Sequence, residues 1–559
     1  MQTVNVSLIN THTILYKKEQ FICFFIETLF FIGCMLPAFS KCWDEYIIPK
    51  WYAAISIVLI TMSLSLLYPS KYKAIYAQWK SVLPYSAGFG ILFLTCIVIH
   101  DIYALPILLF EYGVDGPYSN PSCLAVTICL LYPLTLRFGK DKPILQKEKL
   151  LFLRIWNISY SLISICLLFC THSRIGIIVF VSFMAVLLYR FILNKTVLSM
   201  TIVILLLIIF AICCSTLYKS NSTNGRSFIL MRTAELISKR PLLGYGFSSF
   251  EKTYMEYQGE YFKRHPESKY AKLADNIKHP LNEFAKLWLE NGIVAPIILL
   301  ILIIIPLLAF RNNLIITMIE TCLLLFCLFS YPLTLPLPTI LLFIFPTTLF
   351  LSSFKSEKII KTIIMTFLTT TFVWYLGAFY IDNLLSSAAF YSLHRKHNRA
   401  LLKYSKLYSI LNYPSFKLLY LTRYKVFMYN YTRELFTTSN FTEALQMTTK
   451  TERYIKNYDT QLLKADIYYN MNEYDRSIKS YKTAYNMCPV KFGPLEGLLN
   501  CYGKQKNYIL EKQLAKMILT KNIKVNSEDI NKIRNKAFLI LHKLQMSQEV
   551  SDPLKNDNN

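Results

Sequence analysis

"KHPLNEFAKLWLENGIVAPIILLI", residues 278–301, opens on a charge, a histidine and a proline and then runs into about twenty mostly apolar positions, the length a helix needs to cross a bilayer. Blocks of that length recur along the chain. Of its 559 residues, 54% are hydrophobic, 15% aromatic and only 17% charged, and this clustering reads as an all-α, polytopic membrane protein of about 11–12 transmembrane helices. Spans are expected at 21–40, 51–68, 82–99, 119–136, 150–170, 175–193, 197–216, 285–309, 313–331, 338–353 and 359–380. Lys17 and Lys18 precede the first block and no small-residue cleavage site follows it, so it reads as an uncleaved span after a cytoplasmic N-terminus, residues 1–20.

Charge sets the expected orientation. With the N-terminus inside, the inner segments carry sixteen Lys and Arg, among them Lys71, Lys80, Arg137, Lys140, Arg190, Lys195, Arg311 and Lys355, while the short outer segments carry only Lys41, Lys50 and Arg174. Two long hydrophilic segments then lie outside: a loop at 217–284 within a transmembrane domain of 21–381, and everything from about residue 382. The net charge of +26 is shared between that tail and the inner loops, so nucleic acid is not indicated as a partner. Most of the fourteen cysteines fall inside spans, where a small apolar residue is the plain reading. Cys488 and Cys501 lie in the tail, on the outer, oxidising side, and would pair only if their Cβ atoms meet.

The tail has a period. Phe441 in "SNFTEAL", Tyr474 in "NEYDRSI" and Tyr508 in "KNYILEK" are 33 and 34 residues apart, the repeat length of tetratricopeptide units. "KADIYYNMNEYDRSIKSYKTAYNMCP", residues 464–489, resembles one such unit, with Ala465, Tyr468, Tyr481, Ala484 and Pro489 at its small, aromatic and proline positions. A helical-repeat domain is expected over 382–545, followed by a disordered tail at 546–559. Its concave surface either binds a partner protein or packs on the membrane domain. Its excess of basic residues suits anionic partners such as the head groups of membrane lipids or acidic glycans, with a solvated charged surface as the plain alternative.

The loop carries the chemistry. Charged residues at a membrane boundary need a reason, and Arg174 in "THSRIGI" stands between two spans with almost no loop. Arg226 in "NGRSF" and Arg232 in "MRTAEL" fall on an expected helix, read as presenting both arginines near one face and its leucines and isoleucines to the membrane core. Guanidinium groups gathered at one pocket suit a diphosphate, whose oxygens they pair bidentately. In "SKRPLLGYGFSSF", Gly244 and Gly246 permit a tight turn. Pro280 is favoured at a first helical position, so His279 is expected at the helix cap, whose positive end attracts anions and lowers a histidine's pKa. A neutral imidazole there would act as general base on a hydroxyl, and a protonated one would donate to a phosphate. Asn282 and Glu283 follow on roughly the same face.

The order of these pieces resembles the O-antigen ligase and polymerase superfamily of bacterial membrane glycosyltransferases. The likeness runs from "SR-x-G" at a span start, through a loop with "GR" and "PLLGYG", to "HPLNEF" leading into "ENGI" and a span. "GPYSNPSCLA", residues 116–125, resembles that family's Gly-x-x-x-Asn-Pro stretch. The resemblance implies transfer of a glycan from undecaprenyl-pyrophosphate to an acceptor hydroxyl at the periplasmic face of the inner membrane, in lipopolysaccharide biosynthesis, with neither metal nor cofactor. It implies diphosphate binding by Arg174 and Arg226, helped by Arg232, catalysis by His279, and support from Asn282, Glu283, Gly244 and Gly246. Many relatives have asparagine directly after the histidine; here Pro280 and Leu281 intervene before Asn282. A lipid A-core acceptor makes an O-antigen ligase, a serine or threonine a protein O-oligosaccharyltransferase, and a carrier-linked glycan a polymerase. From another class, a lipid or glycan transporter would also use a dozen spans.

Overall fold

The computed structural model describes residues 48, 50–52, 54–56, 72–106, 113–118, 120–137, 147–188, 220–352, 357–523 and 527–551. Every regular element among them is helical. They fall into two compact units, one made of 1–219, 281–284 and 296–383, the other of 220–280, 285–295 and 384–559. The expected spans at 21–40 and 197–216, and most of 51–68, lie outside the described residues.

The first unit contains the apolar helices α1 (Tyr72–Ala104), α2 (Pro121–Thr135), α3 (Lys147–Cys170) and α4 (Arg174–Leu188). α5 (Ser220–Lys239), α6 (Phe250–Arg264) and α7 (Glu283–Asn291) follow in sequence, and the apolar series resumes with α8 (Val294–Ala309), α9 (Leu314–Phe329), α10 (Pro336–Ser352) and α11 (Glu357–Leu393). Among the described residues, stretches of α1, α3 and α11 are long and apolar enough to cross a membrane, and five shorter helices are apolar as well. This is a membrane protein. α2 is apolar all round and packs against α1, α3, α4, α9 and α10, burying eleven of its fifteen residues, as a helix with no polar face must. Asn120 starts it, its Oδ1 accepting from the Ser122 N–H at 2.8 Å with Pro121 in the first turn. On α3, Leu151, Phe152, Ile155, Ile158 and Leu162 are exposed, a stripe that suits contact with lipid tails.

One expected span is shorter than its apolar run. The stretch 285–309 is broken at Gly292 into the amphipathic α7 and the apolar α8, because Gly292 sits at φ +76°, a left-handed turn that ends a helix.

The second unit holds the hydrophilic loop and the tail together. After α12 (His397–Leu411) and α13 (Pro414–Leu419) come three helix pairs: α14 (Leu421–Thr437) with α15 (Phe441–Thr451), α16 (Tyr458–Asn470) with α17 (Tyr474–Met487), and α18 (Gly493–Lys504) with α19 (Tyr508–Thr520), closed by α20 (Glu528–Ser551). Phe441, Tyr474 and Tyr508 each begin the second helix of a pair. Small residues let the pairs close: a Cβ on Gly497 would lie 2.2 Å from the Tyr481 ring. Cys488 and Cys501 are both free and buried, in two different clusters, with Cys501 Sγ donating to Ser477 Oγ at 3.4 Å.

Candidate functional site

In the loop, α5 does not present its apolar face to the membrane core. Ile229 and Leu236 are buried against Phe250, Tyr254 and Met255 of α6, Leu289 of α7, and Tyr458, Ala484, Met487 and Cys488 of the repeats. The Gln258 amide, itself buried, fixes this packing by donating to the carbonyls of Asp275 (3.0 Å) and Met487 (2.7 Å). Loop and repeats thus share one core.

The glycine-rich turn after α5 closes the end of α7. Tyr245 N–H donates to Leu289 O at 2.8 Å and Gly246 N–H to Glu290 O at 2.7 Å, while Ile293 N–H and Trp288 Nε1 both donate to Pro241 O. These bonds satisfy carbonyls that a helix end leaves open. Contact is backbone to backbone: a Cβ on Gly244 would lie 2.7 Å from Glu290 and Gly292 atoms, and one on Gly292 only 1.8 Å from Leu242 O. A buried lysine of α14 holds the turn from the repeat side, Lys425 Nζ donating to Ser248 O and to Ser248 Oγ (2.9 Å). Burial lowers the Lys425 pKa, opposed by the Glu251 and Glu290 carboxylates.

The two loop arginines differ. They stand six residues apart on α5, about 1.7 turns, so they diverge by about 120° instead of sharing a face. Arg226 is half-buried near the start of the described helix. Arg232 is engaged locally, paired with Glu235 at 2.7 Å and lying over the Tyr261 ring at 4.7 Å and the Phe228 ring at 5.6 Å. Glu235 also accepts from Tyr257 Oη at 2.7 Å. Arg232 therefore braces α5 on α6.

His279 is half-buried, with its Nδ1 shielded from solvent. It is not at the helix cap. Leu281 adopts φ +60°, a left-handed conformation that cannot continue a helix, and α7 begins only at Glu283. Its pKa is nonetheless pushed down to about 3, by burial first and then by the Lys286 and Lys278 ammonium groups. The imidazole is neutral throughout the physiological range.

In the membrane unit, Arg174 is the half-buried first residue of α4. Asn282 Nδ2 donates to Leu328 O at 2.9 Å and Glu283 Oε1 accepts from Leu333 N–H at 3.2 Å, so these two tie the start of α7 to the end of α9 and the turn beyond. Both are used in positioning.

Three residues here escape sequence reasoning. Lys50 is buried, donates to Pro117 O and lies 4.3 Å over the Tyr118 ring, within the "GPYSNP" stretch. Asp382 is buried and accepts from Tyr52 Oη. Glu320 is fully buried inside α9, and its carboxyl oxygens have no hydrogen-bond partner among the described residues. A lone acid in "TMIETCLLLF" was the available signal for it, since a charge within a span is costly unless used.

Among protein families, the one described as O-antigen ligase matches residues 159–300. About a quarter of the chain is thus similar to the O-antigen ligase domain. The matched ligase region contains Arg174, Arg226, Arg232, Gly244, Gly246, His279, Asn282 and Glu283 and ends before the repeats. That match supports a membrane glycosyltransferase of the ligase or polymerase type. No curated protein matches the chain significantly. Among solved structures, the crystal structure of the yeast Tom70 aligns at TM-score 0.22 and 10% identity, over 73% of this chain and 96% of that one. The repeat assignment rests on the period and the helix pairs of this chain, and not on that likeness.

Proposed function

We propose that this ligase moves a glycan from undecaprenyl-pyrophosphate to an acceptor hydroxyl at the periplasmic face of the inner membrane, without a metal, and that the acceptor is lipid A-core. The observation that carries the reading is the ligase match, whose span contains every candidate arginine and His279. The acceptor oxygen attacks the anomeric carbon, the bond from that carbon to the diphosphate breaks, and the proton passes to His279. With Nδ1 shielded, Nε2 is the nitrogen assigned to the acceptor. Arg174 and Arg226 take the diphosphate charge, and Arg232 holds the helix that bears Arg226. A lipid diphosphate is a good leaving group, so charge stabilisation and one base suffice. A displacement from the face opposite the leaving group inverts the anomeric centre.

A protein acceptor is the second reading, favoured by one observation: the loop and the repeats belong to one compact unit. A repeat surface joined to the catalytic loop suits recruitment of a polypeptide to it.

The histidine's charge supplies a test. A free-enzyme pKa of about 3 makes a poor proton acceptor. The arriving diphosphate opposes the Lys278 and Lys286 charges and favours the protonated imidazole, raising that pKa. Activity requires the neutral ring and is lost as pH falls through its pKa. The acid limb of kcat, which reports the donor complex, is therefore expected at higher pH than the limb of kcat/KM for the donor. Coincident limbs, or a kcat limb unchanged in His279→Gln, would remove His279 from the role of base.

A further inference from the structure

The stretch following the last apolar helix has an unusual composition. Residues 383–433 contain nine Lys and Arg and no Asp or Glu, whereas the rest of the tail holds all fourteen of its acidic residues. The same stretch leaves large apolar side chains uncovered. α12 buries Ala400, Tyr404, Leu407 and Leu411, but Leu402 is 70% exposed. α13 buries nothing: Tyr413, Phe416, Leu418 and Leu419 are 65%, 43%, 74% and 54% exposed. Arg395, Lys396 and Arg399 are exposed just before. A run of apolar side chains this open marks an interaction surface when it is contiguous.

We propose that α12 and α13 form a foot on the membrane surface, with the apolar side chains of α13 inserted at head-group level and the basic residues set against lipid phosphates. Three observations select lipid as the occupant. The tract continues directly from α11, which carries a 32-residue apolar stretch, Thr362–Leu393. It sets Lys and Arg beside Tyr391, Tyr408 and Tyr413, which are half-buried or exposed, and tyrosine and basic side chains are the residues that settle at bilayer interfaces. Its charge is of one sign, so a second copy seated on it would bring like charges together, whereas anionic lipid supplies the counter-charge.

The surface is that of an interfacial helix: apolar area immersed to a shallow depth and held by electrostatic attraction. The foot does not depend on glycan transfer, and its failure would leave the ligase reading untouched.

The test uses the full chain in proteoliposomes of phosphatidylethanolamine and phosphatidylglycerol, with an environment-sensitive fluorescent amino acid at Leu418 or, as a control, at Ile509, which is 74% exposed on α19. A blue shift at Leu418 and loss of its fluorescence to a head-group nitroxide lipid, with neither at Ile509, is the expected result. Substituting Arg395, Lys396 and Arg399 by glutamine, or raising the salt, should weaken the quenching, because exposed charges are screened. Quenching of Leu418 by aqueous iodide to the same extent as Ile509 would overturn the proposal. So would a blue shift without nitroxide quenching, the signature of a protein partner or a second copy covering the surface.

Discussion

Replacement of His279 by alanine is expected to lower the turnover of glycan transfer by about a hundredfold to ten-thousandfold, the usual contribution of a positioned acid–base group. The loss should appear in kcat at saturating donor. The imidazole is neutral and half-buried, its pKa held near 3 by burial and by two lysines, so removing it takes away a proton acceptor and no charge that binds the ground state. Donor KM should move little, in contrast to Arg226→Ala, where the diphosphate loses a charged partner and KM should rise. A variant in which both constants are unchanged would assign His279 to packing. A variant in which KM alone rises would make it a binding residue.

Gly292→Ala is expected to unfold the end of the loop. The residue sits at φ +76°, and an added Cβ would come within 1.8 Å of Leu242 O and 2.4 Å of its carbonyl carbon. Both atoms are backbone and cannot rotate away. Relief would require separating the turn at 241–246 from α7, breaking the bonds from Tyr245 and Gly246 to Leu289 and Glu290. Left-handed backbone alone costs a non-glycine residue about 1–2 kcal/mol, and the clash adds to it. Limited proteolysis between Pro241 and Ser249 should become rapid in membrane-embedded protein, with glycan transfer lost. Wild-type protease resistance would show that the turn moves aside without cost. Gly225→Ala is the control, because nothing lies within 4 Å of a Cβ there.

The repeats were the most legible part of the sequence, because each unit repeats one pattern in a polar context: the aromatic residues at 441, 474 and 508 mark three helix starts. The apolar helices were legible by composition. The local geometry of the loop was not. Leu281 and Ser248 both take positive φ, which side-chain type does not announce, and so the histidine was expected at a cap that begins four residues later. The apolar face of α5 was assigned to the membrane because amphipathic pattern gives a buried side but not its partner, which lies in α6, α7 and repeats more than two hundred residues away. A separation of 177 residues likewise hid Lys425, a lysine in a basic run that is singled out only by its burial on Ser248.

We propose that this protein transfers a glycan from a lipid diphosphate. The most direct test incubates the purified protein with an undecaprenyl-pyrophosphate-linked glycan and lipid A-core, with a serine- and threonine-containing protein acceptor in parallel, and follows by mass spectrometry which one gains sugar. Lipid A-core is expected to gain the glycan through an inverted anomeric linkage with release of undecaprenyl-pyrophosphate, both slowed about a hundredfold or more in His279→Ala and markedly in Arg174→Ala. Carrier that stays intact with every acceptor, or transfer at the wild-type rate in both variants, would contradict glycan transfer by this site.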